Sequence, residues 1–412
     1  MRRCMITLSV FALFAALAAG VGCGHHFKRN ASSPSPKAIA PNLAVVSRSS
    51  VEPDVSALPL ETGGKPATRP GEYRKLTAYE CRYLAVKNAP FAEDLDAHPE
   101  NQSPKHPRLH PRQPTVEDSE LGRRTRGYLA DDFRNTAAGE ALEQFFQLAQ
   151  SEGQFDLLAK SLEELRARLR DAEDAERRGL ADRAGVDALR VQVLDLEARI
   201  AQLDAGIGAL NAGLRARLSL AASDPLPLFP ADPLRVRPED VDAEEAVRTG
   251  LYYRPDLNLL RTLLSDEGRA ADDLAQSLLK QVSPLLAHLR SNPIIGVLLP
   301  RGTRTQQEAT RRQLESMLAS RERQAEAEIR AAALTLRGHR LATVAKAAEV
   351  RGLAAKLQEV EKRAAAGQPV TAELTKAKLD LWKGQGELLK AAIDWHLADV
   401  KLRQAMGLLV RE

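Results

Sequence analysis

The chain has 412 residues, with 59 Lys+Arg against 55 Asp+Glu, 44% hydrophobic residues and only 4% aromatic ones. So few aromatics exclude several conventional compact cores, and a 28% charged composition whose apolar part is mostly Ala and Leu points to long amphipathic helices. The net charge of +4 is spread through mixed-sign runs, which argues against nucleic acid as a partner.

The first residues read as a targeting segment. Arg2 and Arg3 precede an uncharged apolar stretch, and the small residues Ala18, Ala19, Gly20 and Gly22 lead into Cys23, so residues 1–22 are expected to be a signal peptide. The segment resembles a bacterial lipoprotein signal, with Gly20 where that signal usually has Leu. The resemblance implies that Cys23 becomes the lipidated N-terminus; cleavage of an ordinary secretory peptide nearby is the alternative. Loss of Arg2 and Arg3 lowers the net charge from +4 to +2.

Residues 23–71 are rich in Pro, Ser, Ala and Gly without hydrophobic periodicity and are expected to form a disordered tether. The adjacent His25 and His26 have no third ligand and read as solvated. The first structured repeat is expected over 72–223. It opens with a short helix capped by Thr77, with Glu80 at the capping-box spacing and a stop at Asn88-Ala89-Pro90. Cys81 reads as a small buried residue, since Cys4 and Cys23 belong to the leader and leave no disulfide framework. The loop 97–118 holds His98, His106 and His110 among many prolines and reads as hydrated.

From about Ala130 the helix period takes over. Leu158, Leu162, Leu165 and Leu169 step by four and three, and Leu189, Val193, Leu196, Ile200, Leu203, Ile207, Leu210 and Leu214 continue as a heptad. The break at Arg178-Gly179-Leu180 makes the two segments a helical hairpin. Residues 224–238 read as a Pro-rich linker, and 239–412 as a second repeat. There Arg254-Pro255-Asp256-Leu257 restarts a helix, Arg304 to Ala365 forms one arm, Gly367-Gln368-Pro369 breaks it, and Thr371 to about Met406 forms the other. Leu374, Leu381, Leu388, Trp395 and Leu402 recur every seven residues beside a small-residue row, Ala377, Gly384, Ala391, Ala398 and Ala405, which permits close helix approach.

The hairpins align with each other. Glu176-Arg177-Arg178 matches Glu361-Lys362-Arg363 and Leu194-Asp195-Leu196 matches Leu379-Asp380-Leu381, both 185 residues apart, while Leu214-Arg215 matches Leu402-Arg403 at 188. The fold class expected is therefore all-α, two duplicated long hairpins. No CxxC, HExxH, GxSxG, Walker loop or GxGxxG follows a strand-like run, so neither an enzyme nor a cofactor is expected.

Four segments in this order resemble the TolC family of outer-membrane efflux proteins: Leu76-Thr77 to Asn88-Ala89-Pro90, Asp242 to Leu257, Arg363 to Leu374, and Ala391 to Gly407. The resemblance implies an outer-membrane, periplasm-facing homotrimer whose hairpin tips meet a periplasmic adaptor protein of an export pump. It carries adaptor docking onto Arg178, Gly179 and Leu180 in the first hairpin and onto Arg363 and Gly367 in the second, where Gln368 stands in place of the leucine. Arg254, Pro255, Asp256 and Leu257 match the family's repeat motif. Family members also insert membrane strands, and a spanning strand needs about 9–11 alternating residues. Neither the proline-rich loop nor the continuous apolar run within 292–301 supplies them, so little or no β-barrel is expected. The alternative is a barrel-less scaffolding lipoprotein of the envelope.

Overall fold

The computed structural model describes residues 45–47, 72–96, 120–221, 226–265 and 304–411. The signal segment, Cys23, the loop 97–118 and the run 292–301 lie outside the described residues. Those described contain eight helices: α1 (Ala78–Lys87), α2 (Pro90–Asp96), α3 (Glu120–Arg177), α4 (Arg183–Arg217), α5 (Ala243–Tyr253), α6 (Pro255–Ser265), α7 (Arg304–Ala365) and α8 (Thr371–Ala405). Three short strands accompany them: β1 (Val45–Ser47), β2 (Glu72–Leu76) and β3 (Leu228–Pro230). The all-α, doubled-hairpin reading holds. None of the described helices is long and apolar enough to cross a membrane.

Helix α3 has 58 residues and α7 has 62, each spanning about 90 Å at 1.5 Å per residue. Helix α4 returns along α3, and α8 along α7. Because α8 also packs on α3, the four form one layer in the order α4, α3, α8, α7. At the upper end α1 and α2 lie on α3, while α5 and α6 lie on α7, with α6 also touching α3. The largest core sits there, where Phe145 and Leu148 of α3 meet Leu214 of α4, Leu389 and Ile393 of α8, and Phe229 of β3. A second core gathers Val247 of α5, Ile329 and Leu336 of α7, and Trp395 and Leu402 of α8. Toward the turns the cores shrink to strips such as Leu165, Val193 and Leu196. Gly384 stands in the small-residue row where Leu353 of α7 packs over α8: a Cβ there would lie 2.6 Å from Leu353 Cδ1, so that side chain would have to shift.

Local signals decide the short helices. The Thr77 hydroxyl accepts from the Glu80 amide at 3.1 Å and the Glu80 carboxylate accepts from the Thr77 amide at 2.8 Å, the expected capping box. Asp242 caps α5 through the amides of Glu244 and Glu245. Cys81 is fully buried, and burial first, then the charge of Asp232, raises its thiol pKa and keeps it inert.

Three expectations change. The first long helix begins at Glu120, a decade earlier than the apolar period shows, because Leu121 and Ala130 pack on neighbouring elements while the surface between them is charged. Within the segment 23–71, expected as a tether, β1 is a strand that pairs antiparallel to β2 with Val46 opposite Tyr73. The linker 224–238 contains β3, which pairs in parallel with β2, Lys75 opposite Phe229. Two of these strands have three residues, too few for a visible alternation.

Asn211 of α4 takes the place of a fourth strand. Its side-chain amide accepts from Leu228 N at 2.6 Å and donates to Leu228 O at 3.1 Å, pairing the outer edge of β3 inside the core. Asn211→Leu should leave two buried backbone groups unpartnered and destabilise the protein by about 2 kcal/mol, measured by urea unfolding. Equal midpoints for variant and parent would refute this role.

Candidate functional site: the hairpin turns

Helices α3 and α7 end in the same way. At the first turn Gly179 has φ 71°; its amide donates to Glu176 O at 2.8 Å, and the Leu180 amide to Ala175 O at 2.8 Å. At the second, Gly367 has φ 80°; its amide donates to Ala364 O at 3.0 Å, and the Gln368 amide to Arg363 O at 3.1 Å. Both are Schellman turns, in which the left-handed residue lets the last carbonyls be satisfied, and this is why glycine stands there. A Cβ on either glycine would meet nothing within 4 Å among the described residues, so the requirement is the backbone angle and not space.

These turns reset the alignment of the repeats. Gly179 and Gly367 are 188 residues apart, as are both ends of the returning helices, Arg183 with Thr371 and Arg217 with Ala405. The turn closing the first hairpin at Ser219 (φ 52°) likewise matches Gly407 (φ 73°) at 188. At this register the buried residues correspond: Val193 with Leu381, Ile207 with Trp395, Leu214 with Leu402 and Leu218 with Met406. The opening helices match at 165, Thr77 with Asp242 and Pro90 with Pro255. The offset of 185, on which Glu176-Arg177-Arg178 and Leu194-Asp195-Leu196 find their matches, thus lies three residues, nearly one helical turn, from the 188 at which the turns, the helix ends and these buried positions correspond. Arg178 and Arg363 are consequently not equivalent: Arg178 directly precedes its glycine, whereas Arg363 lies four residues before its own.

Their surroundings differ too. Arg178 is exposed, as are Gly179 and Leu180, the last retaining 78% of its surface. Arg363 donates from Nε to Gln368 Oε1 and from Nη1 to Glu373 Oε1, each at 3.0 Å. Between the hairpins Glu164 of α3 accepts from Thr375 Oγ1 at 3.0 Å and from Lys378 Nζ at 2.9 Å, fastening α8 to α3 a few turns from the ends. Sequence reasoning did not single out that contact, because nothing local couples residues 164 and 378.

The Arg254-Pro255-Asp256-Leu257 motif lies elsewhere, at the start of α6. Arg254 is almost fully enclosed; its Nε and Nη2 bond Asp256 at 3.0 and 2.9 Å, and its Nη1 bonds Glu328 at 2.7 Å and the carbonyl of Ala405 at 3.1 Å. Arg321 also donates to Asp256, at 2.7 Å. Burial would push the Asp256 carboxyl up, but the hydrogen bonds and charges of Arg254 and Arg321 outweigh it and hold it below the usual range. Pro255 occupies the first position of α6 and Leu257 is fully buried. The motif is therefore a clamp joining α5 and α6 to α7 and the end of α8.

The fold is that of the TolC-type outer-membrane channels. The chain is similar to the Campylobacter jejuni CmeC outer membrane channel, with a TM-score of 0.52 at 12% identity over 71% of this chain and 67% of that one. It is also similar to CusC, described for transmembrane channel formation (TM-score 0.51, 13% identity, 81% of this chain and 93% of that one). The open state of the Neisseria gonorrhoeae MtrE outer membrane channel matches at TM-score 0.51 and 13% identity over 81% of this chain and 89% of that one. No family model matches the sequence, and no curated protein matches it.

Proposed function

We propose that this chain is the outer-membrane component of an efflux or export system, held by lipid on Cys23, closed into a homotrimer, and docked to a periplasmic adaptor protein through its hairpin tips. The observation that carries this reading is the open four-helix layer. Its edge helices expose apolar residues on both sides, Val191 (65%) and Leu194 (58%) on α4, and Leu334 (63%) and Leu341 (55%) on α7. Two different apolar edges suit a head-to-tail contact between copies, which closes into a ring when the rotation divides a full turn. A ring of hairpins makes a conduit, and the likeness to outer membrane channels supports it at the level of the fold. The Glu164, Thr375 and Lys378 contact would then keep the two hairpins of each copy together near the tunnel end.

The test is solute export in cells carrying Arg178→Glu together with Arg363→Glu. Export should fall to that of cells lacking the protein, while circular dichroism and sedimentation stay those of the parent, since Arg178 is exposed and the Arg363–Glu373 pair at the surface contributes about 1 kcal/mol or less. Undiminished export would remove the tips from the function. The proline-dense loop 97–118 favours a second reading, a scaffold without flux. Export that does not depend on the protein at all, with altered envelope spacing on its deletion, would establish that one.

A further inference from the structure

The two turns share a backbone and differ in what their side chains are doing. Around the first, Arg177 pairs with Asp174, Arg190 with Glu173 at 2.8 Å, and Arg183 approaches Asp187 at 3.8 Å. Arg178 has no carboxylate within ion-pair distance among the described residues and faces solvent. Leu180 occupies the turn position whose side chain ordinarily covers an apolar residue one turn back. Here that residue is Ala175, and Leu180 stays 78% exposed, so it contributes little to closing the turn. At the second turn the same position is Gln368, and its amide is bonded to Arg363, whose guanidinium also reaches Glu373 on the returning helix. To face a partner Arg363 would give up both bonds.

We infer that the hairpins divide the work: the first turn is the partner-binding tip, through Arg178 and Leu180, and the second is a closed structural turn. This rests on the docking reading above. The partner it fits is a protein surface carrying a carboxylate beside an apolar recess for one leucine side chain. A guanidinium with free donors meets a carboxylate bidentately, and a side chain held on a rigid turn loses little conformational freedom on burial.

Two measurements on the full chain test the division. In hydrogen exchange of the purified protein, Arg363→Ala should speed the amides of 364–374 by roughly twofold to fivefold, the range for an exposed charged pair, and Arg178→Ala should leave those of 175–185 within about twofold. In cells, a photo-crosslinking p-benzoylphenylalanine replacing Leu180 should form an adduct with a periplasmic adaptor, and one replacing Gln368 should give about tenfold less. Arg178→Glu should reduce the Leu180-site adduct by about tenfold, with recovery when one adaptor carboxylate is changed to Arg, and Arg363→Glu should not reduce it. Equal adducts at both positions, reduced equally by both variants, would overturn the division and leave docking standing. No adaptor adduct at either position would overturn docking itself, and the division with it.

Discussion

Replacing Arg254 with Met should destabilise the protein by about 3 kcal/mol at pH 7, because it keeps the aliphatic stem and removes the hydrogen bonds to Asp256, Glu328 and the Ala405 carbonyl, leaving Arg321 as the cation beside both carboxylates. Asp256 keeps a 24% exposed side chain and Glu328 a 39% exposed one, so Asp256 carries most of the loss. The pH dependence has a definite sign. Asp256 is held below its ordinary range when folded, so its contribution is present above the unfolded carboxylate value, about pH 4, and is lost as the pH falls through the lower folded value. The gap between parent and variant should therefore narrow below pH 4. Urea unfolding at pH 7 and pH 3 measures it, and an equal gap at both would show that the clamp does not act through the Asp256 charge.

Acidification from pH 7 to pH 4 should cost the protein about 3 kcal/mol through His396 alone. Its ring stacks on Phe146 with centroids 4.8 Å apart, and its buried Nε2 has no hydrogen-bond partner among the described residues. Burial pushes its pKa down to about 4; a hydrogen bond to the backbone of Leu234 opposes the shift, and the charges of Arg237 and Arg403 reinforce it. Between about pH 6.5 and pH 4 the unfolded chain takes up a proton that the folded one refuses. Stability falls by ~1.4 kcal/mol per pH unit over that window and levels below it. His396→Phe retains the stacking and removes the titration. Its stability curve should be flatter than the parent's by that amount across the window, and parallel curves would show that the histidine is not the cause.

Much of the helical framework was legible in the residues. The arm from Arg304 to Ala365, the turn at Gly367, the restart at Thr371 and the capping box at Thr77 all follow from periodicity, caps and left-handed glycines. These signals act within about one turn of chain, so a local reading recovers them. The apolar rows Leu374 to Leu402 and Ala377 to Ala405 likewise announced the seam in which Leu353 packs over Gly384.

Other features required residues far apart in the chain to meet. Strand β3 exists because Asn211 and β2 pair both of its edges, across separations no periodicity links. Arg254 reads as a helix-restart motif until Glu328 and Ala405 arrive from α7 and α8 to make it a clamp. The tips show the same limit at finer scale. Tripeptides of similar charge align Arg178 with Arg363, but only the packed positions at an offset of 188 show the two arginines to be a turn out of step. The sequence by itself determined the course of the long helices from about Ala130 onward and where they reverse, because those choices rest on local backbone energies. The tertiary structure decided the register of the repeats and which arginine remains free, because burial and pairing depend on neighbours distant in the chain.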